Sequence, residues 1–200
     1  MLVLHGADDS LALGWRDRKS QLVRFDAMMD IADLNGCTVL DAGCGTGDMF
    51  GFLLDKYPDV KSYTGVDFIP EMIEGARTKI ISPKAIFWPV SFMSTVLPEA
   101  DYVLASGSLN YANADPDYIY KAISHLFQLS RCGLGFNLLK LMPFAGMLAA
   151  YDPDDIVAYC RTLSDDVVLK DDYDAEDFTV FVYRLKTRAE DAKYCVSTGL

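Results

Sequence analysis

Between Val39 and Asp48 the chain reads VLDAGCGTGD, an apolar run that ends in an acid and then sets Gly43, Gly45 and Gly47 at alternate positions. Positions without a side chain let a ligand approach the backbone, and the amides that open a following helix offer it donors. Several nucleotides are met by such a turn, and spacing separates them. A pyrophosphate dinucleotide favours G-x-G-x-x-G, and a phosphate loop requires G-x-x-x-x-G-K-[ST]. Here the third glycine arrives one residue early, no Lys follows Gly47, and Asp41 ahead of the turn would repel a pyrophosphate. Asp41 suits a cationic group such as an amine.

Asp67, 20 positions after Gly47, closes the stretch YTGVD. A carboxylate at the end of a second strand accepts hydrogen bonds from the two vicinal hydroxyls of a ribose. A ribose, an amine nearby and no pyrophosphate together point to S-adenosylmethionine. Further along, SGSLNY (106–111) ends a fourth apolar stretch, where Ser106 and Gly107 can pass a ligand and Asn110 and Tyr111 can face a substrate. Asn110 as a turn cap and Tyr111 as core packing is the alternative. The histidines are His5 and His125; His5 is a candidate base, and His125 belongs on an outer helix. The cysteines, Cys37, Cys44, Cys132, Cys160 and Cys195, form no C-x-x-C pair, and with two histidines they imply no metal site and reduced thiols.

These residues need elements to position them. Leu22, Phe25, Met28, Met29 and Ala32 recur at helical steps within 10–34, a stretch stopped by Asn35-Gly36. Strands are expected at 38–43, 61–68, 84–90, 100–107 and 133–141, and helices through DMFGFLLDKY and at 70–80, 115–131 and 152–163. That alternation predicts an α/β, doubly wound, mostly parallel seven-stranded sheet. The last two strands, 166–173 and 177–185, lie too close for a parallel crossover and must form an antiparallel C-terminal hairpin.

Two hundred residues suit one domain, 1–200, with an amino-terminal lid or helix segment (1–21), a core (22–186) and a tail (187–200). With 18 basic and 29 acidic residues the formal net charge is -11, which argues against nucleic acid as a partner. The start MLVLHGADDS lacks a basic n-region, so no secretory signal is expected. The apolar stretch 133–150 carries Asn137, Lys140 and Pro143, and reads as a buried strand and loop rather than a membrane span. A cytoplasmic monomer or homodimer is the expectation.

VLDAGCGTGD followed by YTGVDFIPEMIEGAR resembles the first two motifs of the class I S-adenosylmethionine-dependent methyltransferases, and with the closing hairpin the resemblance covers about 22–186. It implies a Rossmann-like methyltransferase fold. It further implies that Asp41, Gly43, Cys44 and Gly45 line the methionine part of the cofactor, that Asp67 holds the ribose, and that Phe68 lies along the adenine. Family members commonly carry an acidic or polar residue after the third strand; here FWPVSFM offers Ser91 and Phe92. Ser106 would lie beside the methyl group, Arg24 on the first helix would meet the cofactor carboxylate, and Trp15 could close as a lid. The [ND]-P-P-[FY] of amide and base-amine methylation is replaced by SGSLNY, and no cysteine follows a proline as cytosine carbon-5 methylation requires. The expected function is O- or N-methylation of a small molecule; the alternatives are a non-catalytic S-adenosylmethionine-binding or regulatory partner and a protein methyltransferase.

Overall fold

The β-branched and apolar runs form seven strands: β1 (Thr38–Ala42), β2 (Ser62–Asp67), β3 (Ala85–Pro89), β4 (Ala100–Ala105), β5 (Ser130–Leu139), β6 (Val167–Lys170) and β7 (Asp177–Tyr183). In the computed structural model, residues 18–141 and 147–184 are described. The strands lie in one sheet in the order β3-β2-β1-β4-β5-β7-β6. Neighbours pair in parallel except that β7 runs antiparallel to both β5 and β6. This is the mostly parallel sheet with an antiparallel C-terminal hairpin that the sequence implies. Strand order reverses between β1 and β4, so the helices that follow them cover opposite faces of the sheet, and the carboxyl ends of the strands at such a switch point are the usual place for a ligand in an open sheet.

Among the described residues five helices cover the sheet: α1 (Arg18–Met28), α2 (Asp48–Lys56), α3 (Pro70–Lys79), α4 (Tyr118–Leu129) and α5 (Pro153–Cys160). Side chains alternate along each strand, so β4 sends Tyr102 and Leu104 into the core under α1, α2 and α3, and Val103 and Ala105 into the core under α4 and α5. Burial on both faces explains why these strands read as continuous apolar runs. The helix starts follow local chemistry. Pro70 and Pro153 occupy first-turn positions, where a missing N–H costs nothing, and the Asp152 carboxylate accepts from the Asp154 amide at 2.9 Å.

Some boundaries move. The first helix is followed by a 3-10 turn at Met29–Ile31, and the part of the expected helix before residue 18 lies outside the described residues. Phe25, Met28 and Met29 are buried as the periodicity requires, but Leu22 is 38% exposed and Gln21 is buried in its place. The expected helix 115–131 begins late, because Asp115 turns back to accept from the Asp117 amide at 3.0 Å. It ends early, where the Ser130 hydroxyl bonds the Phe127 carbonyl at 2.8 Å. The fourth strand stops at Ala105, and Ser108–Asn110 coil into a 3-10 turn.

Candidate functional site

The glycine turn is shaped by what its neighbours leave free. Gly43 has φ +82°, and a Cβ built on it would lie 2.2 Å from the Cβ of Ser108, which no side chain survives. Ser108 in turn donates its hydroxyl to the Ala42 carbonyl at 2.6 Å. The exits of β1 and β4 are thereby pressed together at the switch point. Beyond it, the amides of Gly43 and Cys44 both donate to the Val66 carbonyl, at 2.8 and 3.0 Å. Gly47, with φ +77°, sits against Ile80 and Phe87, where a Cβ would be 2.6 and 3.0 Å from their side chains.

Asp67 ties the turn to β2. One carboxylate oxygen accepts from the Gly45 amide at 3.0 Å, the other from the Ile69 amide at 2.9 Å. A carboxylate has about four acceptor sites, so each oxygen keeps one for a further donor. Burial raises the Asp67 pKa, and the two backbone bonds oppose that rise.

Asp41 lies deeper, 2% exposed, and accepts the Tyr63 hydroxyl. Burial pushes its carboxyl up to about 7; the Tyr63 bond works against this and the Asp67 charge adds to it. The Cys44 thiol is held well above its ordinary value, by burial first and then by the charges of Asp41 and Asp67, so it is a poor nucleophile.

These groups open onto a cavity of about 600 Å³, within the roughly 300–1,000 Å³ typical of cofactor and small-molecule sites. Asp41, Gly43, Cys44, Gly45, Ser106, Gly107 and Ser108 line it at the switch point, and Asp67, Phe68, Ile69, Met72, Ser91 and Phe92 line it on the β2–β3 side. Gln21 and Phe25 contribute from α1, Asp48 and Met49 from α2, and Tyr111, Ala112, Asn113, Tyr118 and Met147 complete the lining. Phe68 is 69% exposed, a large apolar side chain at the cavity's edge that a flat partner could cover. Burial raises the Tyr111 pKa, and the Asp67 charge adds to this.

Of the residues singled out in the sequence, Asp41, Gly43, Cys44, Gly45, Asp67, Phe68, Ser91, Phe92, Ser106 and Tyr111 come together in this cavity. Arg24 does not. Its Nε donates to Asp177 at 2.5 Å, and this pair, with side chains 12% and 0% exposed, fastens α1 to the start of β7. Asp177 also accepts the Tyr173 hydroxyl, and that hydroxyl lies 2.8 Å from the Thr179 hydroxyl. A buried carboxylate takes the nearest cation, and here that cation is Arg24 rather than one turned to the cavity.

Asn110 is also corrected. It is buried, its Oδ1 accepts from the Leu139 amide at 2.8 Å and its carbonyl from the Ala149 amide at 2.7 Å, so it is a backbone cap. His125 sits on α4 away from the cavity, while His5 and Trp15 lie outside the described residues.

Sequence reasoning missed Gln21 and Phe25, although their i, i+4 spacing places them on one face of α1. It also missed Asn137, fully buried on β5, whose Nδ2 donates to the Ser106 hydroxyl at 3.0 Å and whose Oδ1 accepts from the Gly107 amide at 2.9 Å. Asn137 thus fixes the path of the β4 exit beside the cavity.

A doubly wound sheet with a cavity of about 600 Å³ at its switch point defines a broad class of proteins, and the comparisons narrow it. Residues 39–133 match the methyltransferase domain family. A methyltransferase of Mycobacterium tuberculosis is 30% identical over 155 residues, covering 72% of this chain and 92% of that protein. The trans-aconitate 2-methyltransferase of an Enterobacter species is 31% identical over 156 residues, 77% of this chain and 52% of that enzyme. The magnesium-protoporphyrin O-methyltransferase of Rhodobacter capsulatus is 38% identical over 115 residues, 56% and 49%.

The chain spans about half the length of these last two relatives. Among solved structures, a magnesium protoporphyrin IX methyltransferase from Synechocystis with bound S-adenosylhomocysteine superposes with TM-score 0.64 over 83% of both chains at 16% identity. A methyltransferase from Aquifex aeolicus superposes at 0.65 over 88% and 98% at 17% identity. The chain belongs to the class I S-adenosylmethionine-dependent methyltransferases.

Proposed function

We propose that this protein transfers the methyl group of S-adenosylmethionine to a small acceptor, at oxygen or nitrogen, by direct displacement. The observation that carries the reading is the Asp67 carboxylate. It has one free acceptor site on each oxygen, as a ribose diol requires, and it shares a cavity with the Gly43–Gly45 turn and the Tyr111 side chain.

The residues fit the cofactor. Asp41 pairs with the amino group, which draws its raised carboxyl back to the ionised form. Gly43, Cys44 and Gly45 run along the amino-acid part, Asp67 holds the ribose, and the exposed Phe68 ring with Ser91 and Phe92 receives the adenine. When bound, the cofactor supplies an electrophilic methyl on a sulfonium. Ser106, held by Asn137, keeps the β4 exit in place beside that end of the cavity. A displacement of this kind is accelerated chiefly by alignment and by exclusion of water. Tyr111 stays a phenol at neutral pH, because its pKa is raised, and serves as a hydrogen-bond donor to the acceptor rather than as a base.

The acceptor side is set by Phe25, Tyr111, Tyr118 and Met147, and favours a small, partly apolar molecule that is neutral or cationic. The relatives named above act on trans-aconitate and magnesium-protoporphyrin, which are also small molecules. The net charge of -11 argues against a nucleic acid acceptor. Incubation of cell extract with the protein and a methyl-labelled donor, read by mass spectrometry, tests the reading. Label in a small molecule is expected; label confined to protein, or none, would contradict it.

A further inference from the structure

Tyr63 is a fully buried phenol on β2 that does not line the cavity, yet its hydroxyl donates to Oδ2 of Asp41, which does. Its ring is clasped by two others, Phe50 of α2 with centroids 5.0 Å apart and Phe87 of β3 at 5.9 Å. In the parallel register Asp41 stands beside Gly65, two residues beyond Tyr63 on the same face of β2. No side chain fits there, since a Cβ on Gly65 would lie 2.7 Å from the Phe87 ring and 2.8 Å from the Cys44 Sγ. Phe87 and Cys44 fill that space, and with Tyr63 wholly buried the bond is shut off from water. A carboxylate has more acceptor sites than one hydroxyl fills, and no described residue donates to Oδ1 of Asp41.

We propose that Tyr63 is a positioning residue for cofactor recognition: it never meets the ligand, but its hydroxyl pins Oδ2 of Asp41 so that Oδ1 faces the cavity and takes the cofactor ammonium. The proposal rests on the cofactor reading above. A carboxylate that is free to turn has to be ordered when its partner arrives, and the Tyr63 bond orders it beforehand. The same bond favours the charged form that an ammonium needs, against the burial that lifts the Asp41 pKa. The other titratable groups beside Asp41 are the Cys44 thiol and Asp67, and the Asp67 charge opposes ionisation.

Calorimetric titration of the full chain with three ligands separates this role from packing. S-adenosylhomocysteine carries an ammonium and a carboxylate, its decarboxylated analogue the ammonium alone, and 5′-methylthioadenosine neither. Tyr63→Phe keeps the ring. It is expected to weaken the first two ligands by about 10-fold each, the lower end for a hydrogen bond to a charged group, and to leave methylthioadenosine nearly unchanged. The pH at which S-adenosylhomocysteine affinity levels should move upward, because the bond that lowers the Asp41 pKa is gone. Incorporation of 3-fluorotyrosine at the same position, a ring of nearly the same shape with a more acidic phenol, should move it downward and serves where Tyr63→Phe fails to fold. Equal losses for all three ligands, a loss confined to S-adenosylhomocysteine, or a levelling pH that neither replacement moves would overturn the assignment. Failure of the unaltered chain to bind S-adenosylhomocysteine or methylthioadenosine would overturn the cofactor reading itself.

Discussion

Gly43 faces Ser108 across the gap between β1 and β4, and the space between them holds no Cβ: one added to Gly43 would stand 2.2 Å from that of Ser108. Gly43→Ala therefore meets two costs, the left-handed backbone and the collision. Together they are expected to lower stability by about 2–4 kcal/mol in chemical denaturation. Ser108→Gly should relieve only the collision, so the double variant is expected to be more stable than the two single losses added together. Strict additivity would show that the two strand exits are not coupled there.

Asp67→Ala removes the anchor of two amides, Gly45 at 3.0 Å and Ile69 at 2.9 Å, along with the acceptor for the ribose. Affinity for S-adenosylhomocysteine, measured by calorimetry, is expected to fall by about 10- to 100-fold. An unchanged constant in a folded variant would remove the ribose role from Asp67.

Asp41 links pH to both stability and binding. Its folded value, about 7, stands above the ordinary 3.8. Between these values the folded chain keeps a proton that the unfolded chain has lost. The contribution is therefore full below 3.8, falls as pH rises, and is gone above about 7, amounting to at most about 4 kcal/mol. Asp41→Asn is expected to stabilise the ligand-free protein at pH of about 8 and to leave it little changed at pH of about 4, by thermal unfolding at each pH. Pairing with an ammonium needs the ionised carboxylate, so cofactor affinity of the unaltered chain should rise toward pH of about 7 and then level. A flat affinity profile would separate Asp41 from the amine.

Arg24→Met tests the buried pair with Asp177. Removing one partner of such a pair costs about 3–5 kcal/mol. Burial already lifts the Asp177 carboxyl to about 6, against the pull of Arg24. Without Arg24 it protonates more readily, so the loss should be smaller at pH of about 5 than at about 8, by urea denaturation at both values. The folded variant should keep its affinity for S-adenosylhomocysteine within about threefold. A loss as large as that of Asp67→Ala would return Arg24 to the cofactor.

The glycine turn was readable in the chain because its backbone demands are written in residue type: positive φ and close approach select glycine at 43, 45 and 47. Asp41 and Asp67 were readable for a related reason, since an acid that ends an apolar strand has little structural use there. Arg24 was not, because an arginine on a helix looks the same whether it faces a ligand or a partner 153 positions away. Asn137 was hidden inside an apolar run on β5, where only the fold reveals that it faces the Ser106–Gly107 exit. Parallel pairing and the antiparallel hairpin followed from connection lengths, whereas the strand order was seen only in the fold and helix ends depended on single side chains such as Asp115 and Ser130.

The crevice beside Gly43, Asp41 and Asp67 is expected to hold S-adenosylmethionine. Calorimetric titration of the unaltered chain with S-adenosylhomocysteine tests it most directly. Saturable one-to-one binding in the micromolar range, weakened about 10- to 100-fold in Asp67→Ala and kept in Arg24→Met, is the expected result. No heat of binding at ligand concentrations of about 1 mM, where an affinity of only about 4 kcal/mol would still register, would contradict the account.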